Sequence, residues 1–359
     1  MKLKTTLICA SLITAAIGAY ALKLVIDAGA FRKLQEKSFG AAVFKIPSIV
    51  GAEDIVSVPG TNAFILSADK RWKDDPNEKS SGALYLFEPS PEGTGPGKIT
   101  NLTAEIAQDF HPHGIAIWTS PEGINKVYAV DHRLPHGSWV VKFRFDNNKL
   151  IKEKEYRAEG IYNLNSLLIV DEDEFYATRD AHSTSHLGMQ AERFLRLSRS
   201  VIYHFKNDVW KEGNQKFLFA NGIEWGPDKN TVLMAAMLER KIHVLNRDPA
   251  TGELTLTRSI ELPGGPDNIR RNFDGSYCIG LHPNLLTLSK VSKDPKNERG
   301  PTQLFRLHLG DGASLLDKWE EIYTDPNGTT LSTGSGCIEN SKEMIVGTVY
   351  DQHFLHLVK

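Results

Sequence analysis

The sequence predicts an all-β protein, a six-bladed β-propeller with a hydrophobic helix at its N-terminus, on three observations. From about residue 50 onward, apolar residues fall in short β-type runs between turn clusters, as in Ala83–Phe87, Val127–Val130, Val140–Phe145, Thr231–Met234 and Met344–Val349. A loose motif recurs in which a small polar group precedes an apolar strand, a Pro/Asp/Gly turn and a second strand. It reads Glu53-Asp54-Ile55, Pro112-His113-Gly114-Ile115, Leu164-Asn165-Ser166-Leu167, Ala220-Asn221-Gly222-Ile223 and Asp267-Asn268-Ile269. Markers at 54, 114, 166, 222 and 268 lie 60, 52, 56 and 46 residues apart, with Gly334-Ser335-Gly336 as a candidate sixth. A four-stranded blade takes roughly 40–50 residues, more with loops, so about 300 residues make six. Finally, no long helical period occurs beyond the N-terminal segment, and helix is expected only up to about residue 37 and around His186–Leu197.

Taken in order, residues 5 to 22 carry no charge and are bracketed by Lys2, Lys4 and Lys23. As a helix this stretch is about 27 Å long, enough to cross a hydrocarbon layer with little tilt. Ala19-Tyr20-Ala21 equally suits signal peptidase, so a retained anchor and a cleaved signal both stand. Either way an exported protein is expected, membrane-anchored with an extracytoplasmic propeller or secreted, divided into segment 1–37 and a propeller domain 38–359. Asn101-Leu102-Thr103 and Asn327-Gly328-Thr329 are sequons, making Asn101 and Asn327 glycosylation candidates. With 42 Lys and Arg against 44 Asp and Glu, and no basic stripe, no nucleic-acid partner is expected. A 41% apolar content excludes disorder for most of the chain. Three cysteines make no disulfide framework, and Cys278 and Cys337 would pair only if the fold brings them together.

A propeller sets each innermost strand beside the central channel, so equivalent residues of different blades converge. The marker positions carry Glu53, Asn165, Asn221, Asp267 and Asn268, all oxygen donors. Hard oxygen ligands without cysteine suit Ca²⁺ better than Zn²⁺. Each residue alone has a blander explanation, Asn and Asp before Gly being common turn residues; the shared position in the repeat favours the metal. His113, in the motif, and His132, about one hairpin later, form a candidate proton-transfer pair, whereas His111 and His136 have no repeat position behind them. Gly93–Lys98 lacks the spacing of a phosphate loop, and no Gly-x-Ser-x-Gly elbow or His-Glu-x-x-His helix is present.

At these residues the chain resembles the serum paraoxonase/arylesterase family, from about residue 40 to the C-terminus. The matching pieces include Gly51-Ala52-Glu53-Asp54, Phe110-His111-Pro112-His113-Gly114-Ile115, Asp131-His132, Asn163-Leu164-Asn165, Phe219-Ala220-Asn221-Gly222-Ile223, Asp267-Asn268-Ile269 and His282-Pro283-Asn284. The resemblance implies a six-bladed propeller with two calcium ions in its tunnel, hydrolysing lactones and aryl esters, with an uncleaved hydrophobic N-terminus. It implies a catalytic calcium on Glu53, Asn165, Asn221, Asp267 and Asn268, with His113 as general base and His132 relaying the proton; Asp267 as base or nucleophile stays open. It assigns the deeper calcium to Asp54, the carbonyl of Ile115 and an Asp for which this chain has Ser166, a neutral and weaker ligand that leaves the second ion open. The family's disulfide between first and last strands has no counterpart, since neither Phe44–Ile49 nor Phe354–Lys359 contains Cys, so closure must rest on strand pairing. Lys70, kept within an otherwise different Asp69-Lys70-Arg71-Trp72, and an apolar rim of Phe219, Val349 and Tyr350 are the pocket candidates. The expected function is therefore a calcium-dependent lactonase and arylesterase acting on small molecules, with a lipid surface as partner of the N-terminal segment. The alternative is a membrane-anchored assembly factor for membrane proteins with little or no hydrolysis.

Overall fold

Short apolar runs separated by turn residues that tolerate positive φ fold back on their neighbours as antiparallel hairpins. Asn147 and Asn148 (φ 50° and 58°) close one such hairpin, and Asn207 and Asp208 (φ 53° and 59°) another, the two-residue geometry whose twist matches that of the flanking strands. In the computed structural model, residues 2–359 are described except 41, 73–80, 91–94, 106–108, 134 and 311–315, and the side chains of 2–10 also lie outside the described set. The hairpins assemble into six four-stranded antiparallel sheets, the blades of a propeller. The first strands of blades 1 to 6 are Ala52–Ser57, Pro112–Thr119, Leu164–Asp171, Ala220–Trp225, Gly265–Arg271 and Gly334–Glu339. Blade 6 takes its outermost strand from the other end of the chain: Ala42–Pro47 pairs with His353–Val358, from Ala42↔Val358 to Pro47↔His353. Strand pairing thus closes the ring.

The core is divided among the blade interfaces. Ile65 and Leu86 of blade 1 pack with Val127 and Phe143 of blade 2, and Tyr128 and Tyr156 of blade 2 with Leu167 and Phe175 of blade 3. The series continues between blades 3 and 4, 4 and 5, 5 and 6, and 6 and 1, where Phe354 and Ile345 meet Ile55 and Phe64. Each fully buried side chain of this size contributes about 1.5–3 kcal/mol. Blades 5 and 6 are also joined covalently, because the fold brings Cys278 and Cys337 to a Cα–Cα distance of 5.5 Å in a disulfide.

Among the described residues, three α-helices accompany the blades. The N-terminal helix α1 spans Lys2–Asp27, shorter than the expected reach to residue 37. It stops before Gly29 at φ 78°, where a Cβ would stand 2.0 Å from the Pro283 carbonyl oxygen. Among the described residues no helix is long and apolar enough to cross a membrane. Helix α2 (His186–Phe194) lies where expected. Helix α3 (Leu285–Lys293) was not expected, because nine residues are too short for a clear period. Its missed signal is Asn284, whose Oδ1 accepts from Leu286 N (3.1 Å) and Thr287 N (3.0 Å).

One irregularity repeats in all six blades. Near the start of each first strand the register with the second strand slips, between Ala52 and Asp54, Pro112 and Ile115, Leu164 and Leu167, Ala220 and Ile223, Pro266 and Ile269, and Gly334 and Cys337. The residues left out of the ladder are Glu53, His113-Gly114, Asn165-Ser166, Asn221-Gly222, Asp267-Asn268 and Ser335-Gly336. A bulge bends its strand and re-aims its side chains, and neighbouring first strands pack side by side around the axis. The bulges therefore gather the sequence markers, the sixth included, into one ring. Backbones approach closely there: a Cβ on Gly114 would lie 2.1 Å from the Asn165 carbonyl oxygen, and one on Gly222 2.7 Å from that of Asp267.

Two outcomes test this architecture. Gly114→Ala should lower the melting temperature by several degrees, since backbone atoms cannot rotate away, whereas Gly123→Ala, with open space around it, should lower it less. Cys337→Ser should also lower it: in the chain-entropy account a cross-link over 59 residues contributes about 4 kcal/mol. Identical melting of the wild type with and without reductant, with disulfide loss checked by thiol titration, would remove that contribution.

Candidate active site

The bulge ring carries Glu53, Asn165, Asn221, Asp267 and Asn268, all at most 4% exposed. Asn221 Nδ2 donates to Asp267 Oδ1, and Asn268 Nδ2 (3.2 Å) and Ser335 Oγ (2.6 Å) both donate to the Glu53 carbonyl. Asp267 Oδ2 lies 2.8 Å from His282 Nε2. The side-chain oxygens of Asn165 and Asn221 are buried without a hydrogen-bond partner. Such unmet acceptors cost about 1–3 kcal/mol each, and they are the clearest sign that a positive group belongs among them. Among the described residues no group of three or more His, Cys, Asp or Glu could hold a metal. The ring is a set of two carboxylates and three amides, the chemistry of a hard divalent cation.

Beside the ring, His113 Nδ1 lies 2.9 Å from His132 Nε2, and His132 Nδ1 lies 3.1 Å from Ser138 Oγ. His113 Nε2 faces Glu53 Oε1 at 3.2 Å without hydrogen-bond alignment. Burial, reinforced by the Arg71 charge, pushes His113 down to about 3. Burial and the neighbouring His113 hold His132 well below its ordinary value. Both rings are neutral at pH 7, each with one ring nitrogen unprotonated, and the burial that keeps them neutral also weakens them as bases.

Sequence reasoning missed several groups. The Arg71 guanidinium pairs with Glu53 Oε2 and is lowered to about 10 by burial, remaining charged. Asp180, just past the end of the second strand of blade 3 (Glu174–Arg179), hydrogen-bonds Asn165 and is raised to about 6 by burial. His282 ends the second strand of blade 5, as His132 approaches the end of that of blade 2. This shared strand-end position was the available signal.

Of the pocket candidates, Val349 is buried and Tyr350 half-buried, the Tyr350 phenol being raised by burial. Phe219 holds a left-handed backbone, φ 65°, uncommon for a bulky residue. Its N–H donates to Ser200 Oγ at 3.0 Å, its carbonyl accepts from Met237 N at 3.0 Å, and the Arg193 guanidinium stands 4.9 Å over its ring. Lys70 Nζ lies 5.9 Å from the Trp72 ring centroid. Asn101 and Asn327 are both exposed.

One layer further along the axis, Asp54 and Ile115 do come together. Asp54 Oδ2 accepts from Ile115 N at 2.8 Å and Asp54 Oδ1 from Ile55 N at 2.9 Å. The Arg270 guanidinium stands with them, paired with Asp54 Oδ2 and donating to the Ile115 carbonyl at 2.8 Å. Ser166 is fully buried, and its Oγ has no partner.

Comparison with known proteins bears on the family and the fold. Residues 38–356 match the family model described as Arylesterase. Serum paraoxonase/arylesterase 2 of Gallus gallus is 28% identical over 309 residues, and that of Bos taurus 29% over 306, each alignment covering 84% of both chains. Serum paraoxonase/arylesterase 1 of Homo sapiens is 27% identical over 307 residues with the same coverage. Among solved structures, a putative gluconolactonase superposes with a TM-score of 0.53 at 12% identity, covering 90% of this chain and 93% of that one. A luciferin-regenerating enzyme gives 0.53 at 14%, covering 89% and 96%; likenesses this distant bear on the fold alone. With the match running through nearly all of the propeller, the chain belongs to the arylesterase family and is an ester hydrolase.

Proposed function

We propose that this protein is a calcium-dependent hydrolase of lactones and aryl esters whose water is activated by His113 and His132. The observation that carries the reading is the buried ring of oxygen donors, two of them unpartnered, beside a neutral His pair. Glu53, Asn165, Asn221, Asp267 and Asn268 would hold the ion. When bound, calcium supplies Lewis-acid polarisation of the ester carbonyl.

The His chain has a consistent proton arrangement. With Nδ1–H on both rings, His132 donates to Ser138 Oγ and His113 donates to His132 Nε2. That leaves the lone pair of His113 Nε2 free, at the atom lacking a hydrogen-bond partner. His113 Nε2 takes a proton from water as the water oxygen attacks the carbonyl carbon, and the Nδ1 proton can pass to His132. Glu53 Oε1, 3.2 Å away, favours the charged ring electrostatically. As the tetrahedral species collapses, the proton returns to the leaving alkoxide or aryloxide oxygen. Phe219, Val349 and Tyr350 form an apolar rim suited to an aryl group or ring methylenes.

Export and lipid association complete the reading. Supporting export are the buried disulfide, typical of oxidising compartments, and the exposed sequons. Supporting a lipid surface are uncovered apolar side chains on α1, including Leu12, Ile13, Ile17 and Ile26. Phe194 and Leu195 at the end of α2 are exposed as well, and Phe194 O accepts from Tyr20 Oη of α1 at 3.2 Å.

In assays of phenyl acetate and a panel of γ- and δ-lactones, chelation should abolish hydrolysis and added Ca²⁺ restore it. His113→Gln should lower kcat by about 10²–10⁴, and Asp267→Ala should abolish calcium-dependent activity; if both variants keep wild-type rates, the mechanism is wrong. Deleting residues 1–27 should release the protein from anionic vesicles in a flotation assay while leaving hydrolysis in solution unchanged.

A further inference from the structure

The resemblance to the paraoxonases calls for a second cation deep in the tunnel, and the residues present do not suit one. Arg270 follows the bulge of blade 5 and is 4% exposed. Its Nη2 donates to Asp54 Oδ2 and to the Ile115 carbonyl at 2.8 Å, its Nε to the Ile55 carbonyl at 2.9 Å, and its Nη1 to the Ile269 carbonyl at 3.3 Å. Glu224 Oε2 of blade 4 lies 3.9 Å from Nη1. The guanidinium thus binds two of the three groups expected to hold the ion, Ser166 standing in place of the third, and links blades 1, 2 and 5.

The local charges also compare. A divalent cation between Asp54 and a second aspartate is neutral overall, and so are Arg270, Asp54 and the uncharged Ser166 taken together, with the Glu224 carboxyl a further acceptor 3.9 Å from Nη1. Ser166 is buried, its N–H spent on Thr178 Oγ1 at 3.0 Å. A guanidinium is permanently charged and directs five N–H donors in one plane. It can therefore serve several oxygens at once, as an ion does, without being lost to dilution or chelation.

We infer that Arg270 permanently replaces the deep structural cation, so that the propeller axis is held by a covalently tethered charge and the chain has no second calcium site. This goes beyond the catalytic reading and does not depend on the catalytic ion.

Calcium bound to the full-length chain should be counted by equilibrium dialysis in buffered Ca²⁺, alongside melting followed by circular dichroism in excess chelator. One calcium per chain, with a cooperative melt retained in chelator, is expected. A count of zero with the same cooperative melt also supports the inference and instead defeats the catalytic-calcium reading. Two ions per chain, or loss of the folded spectrum on chelation in an Asp267→Ala variant that no longer binds the catalytic ion, overturns it. The double variant Ser166→Asp/Arg270→Ser should bind one calcium more than the wild type and become chelator-sensitive in its melt; a folded double variant with an unchanged count also overturns it. Should that variant not fold, the wild-type count decides.

Discussion

The structure depends on a register slip repeated six times. A regular strand alternates its side chains between two faces, and in a propeller both faces are claimed by the neighbouring blades. A residue inserted into the ladder escapes that alternation and turns toward the axis. Each blade makes this departure at the same height, so one local defect per blade becomes a ring of polar groups inside an apolar body. The packing between blades fixes the diameter of the ring, and the glycines at Gly114 and Gly222 keep it that narrow.

Polar groups so placed must find partners, and the two layers solve this differently. The upper layer leaves two amide oxygens unsatisfied and surrounds Glu53 and Asp267 with Arg71, His113 and His282, a balance open to a substrate or an ion. The lower layer pairs its charges: Asp54 and Arg270 satisfy one another and the carbonyls around them, while the Ser166 hydroxyl has no partner. A buried pair of this kind adds little net stability over apolar packing, yet removing one partner leaves an uncompensated charge, which costs about 3–5 kcal/mol. The lower layer acts as a rigid floor for the upper one.

Much of this was legible in the sequence because the bulge repeats with the blade. Glu53, His113, Asn165, Asn221 and Asp267 stood out by shared position, and even Gly334-Ser335-Gly336 could be placed. His282 ends a second strand, within the His282-Pro283-Asn284 piece of the resemblance, and Asp180 lies just past the end of another, positions the marker period does not cover. Reading the end of each second strand by analogy with His132 would have found both. Arg270 sits one residue beyond the recognisable Asp267-Asn268-Ile269, and only the fold shows that it reaches Asp54 in a different blade. Helix α3 was hidden by its length, although Asn284 advertised a cap.

The pairing of Ala42–Pro47 with His353–Val358 also dictates how the protein is made. The strand that completes the last blade leaves the ribosome before the other described strands and has no sheet partner until His353–Val358 has been made. Contacts so distant along the chain form late, and until they form two bare sheet edges are available to other molecules. The meeting of these two strands closes the ring. A chain cut short by even its last strand would remain an open arc.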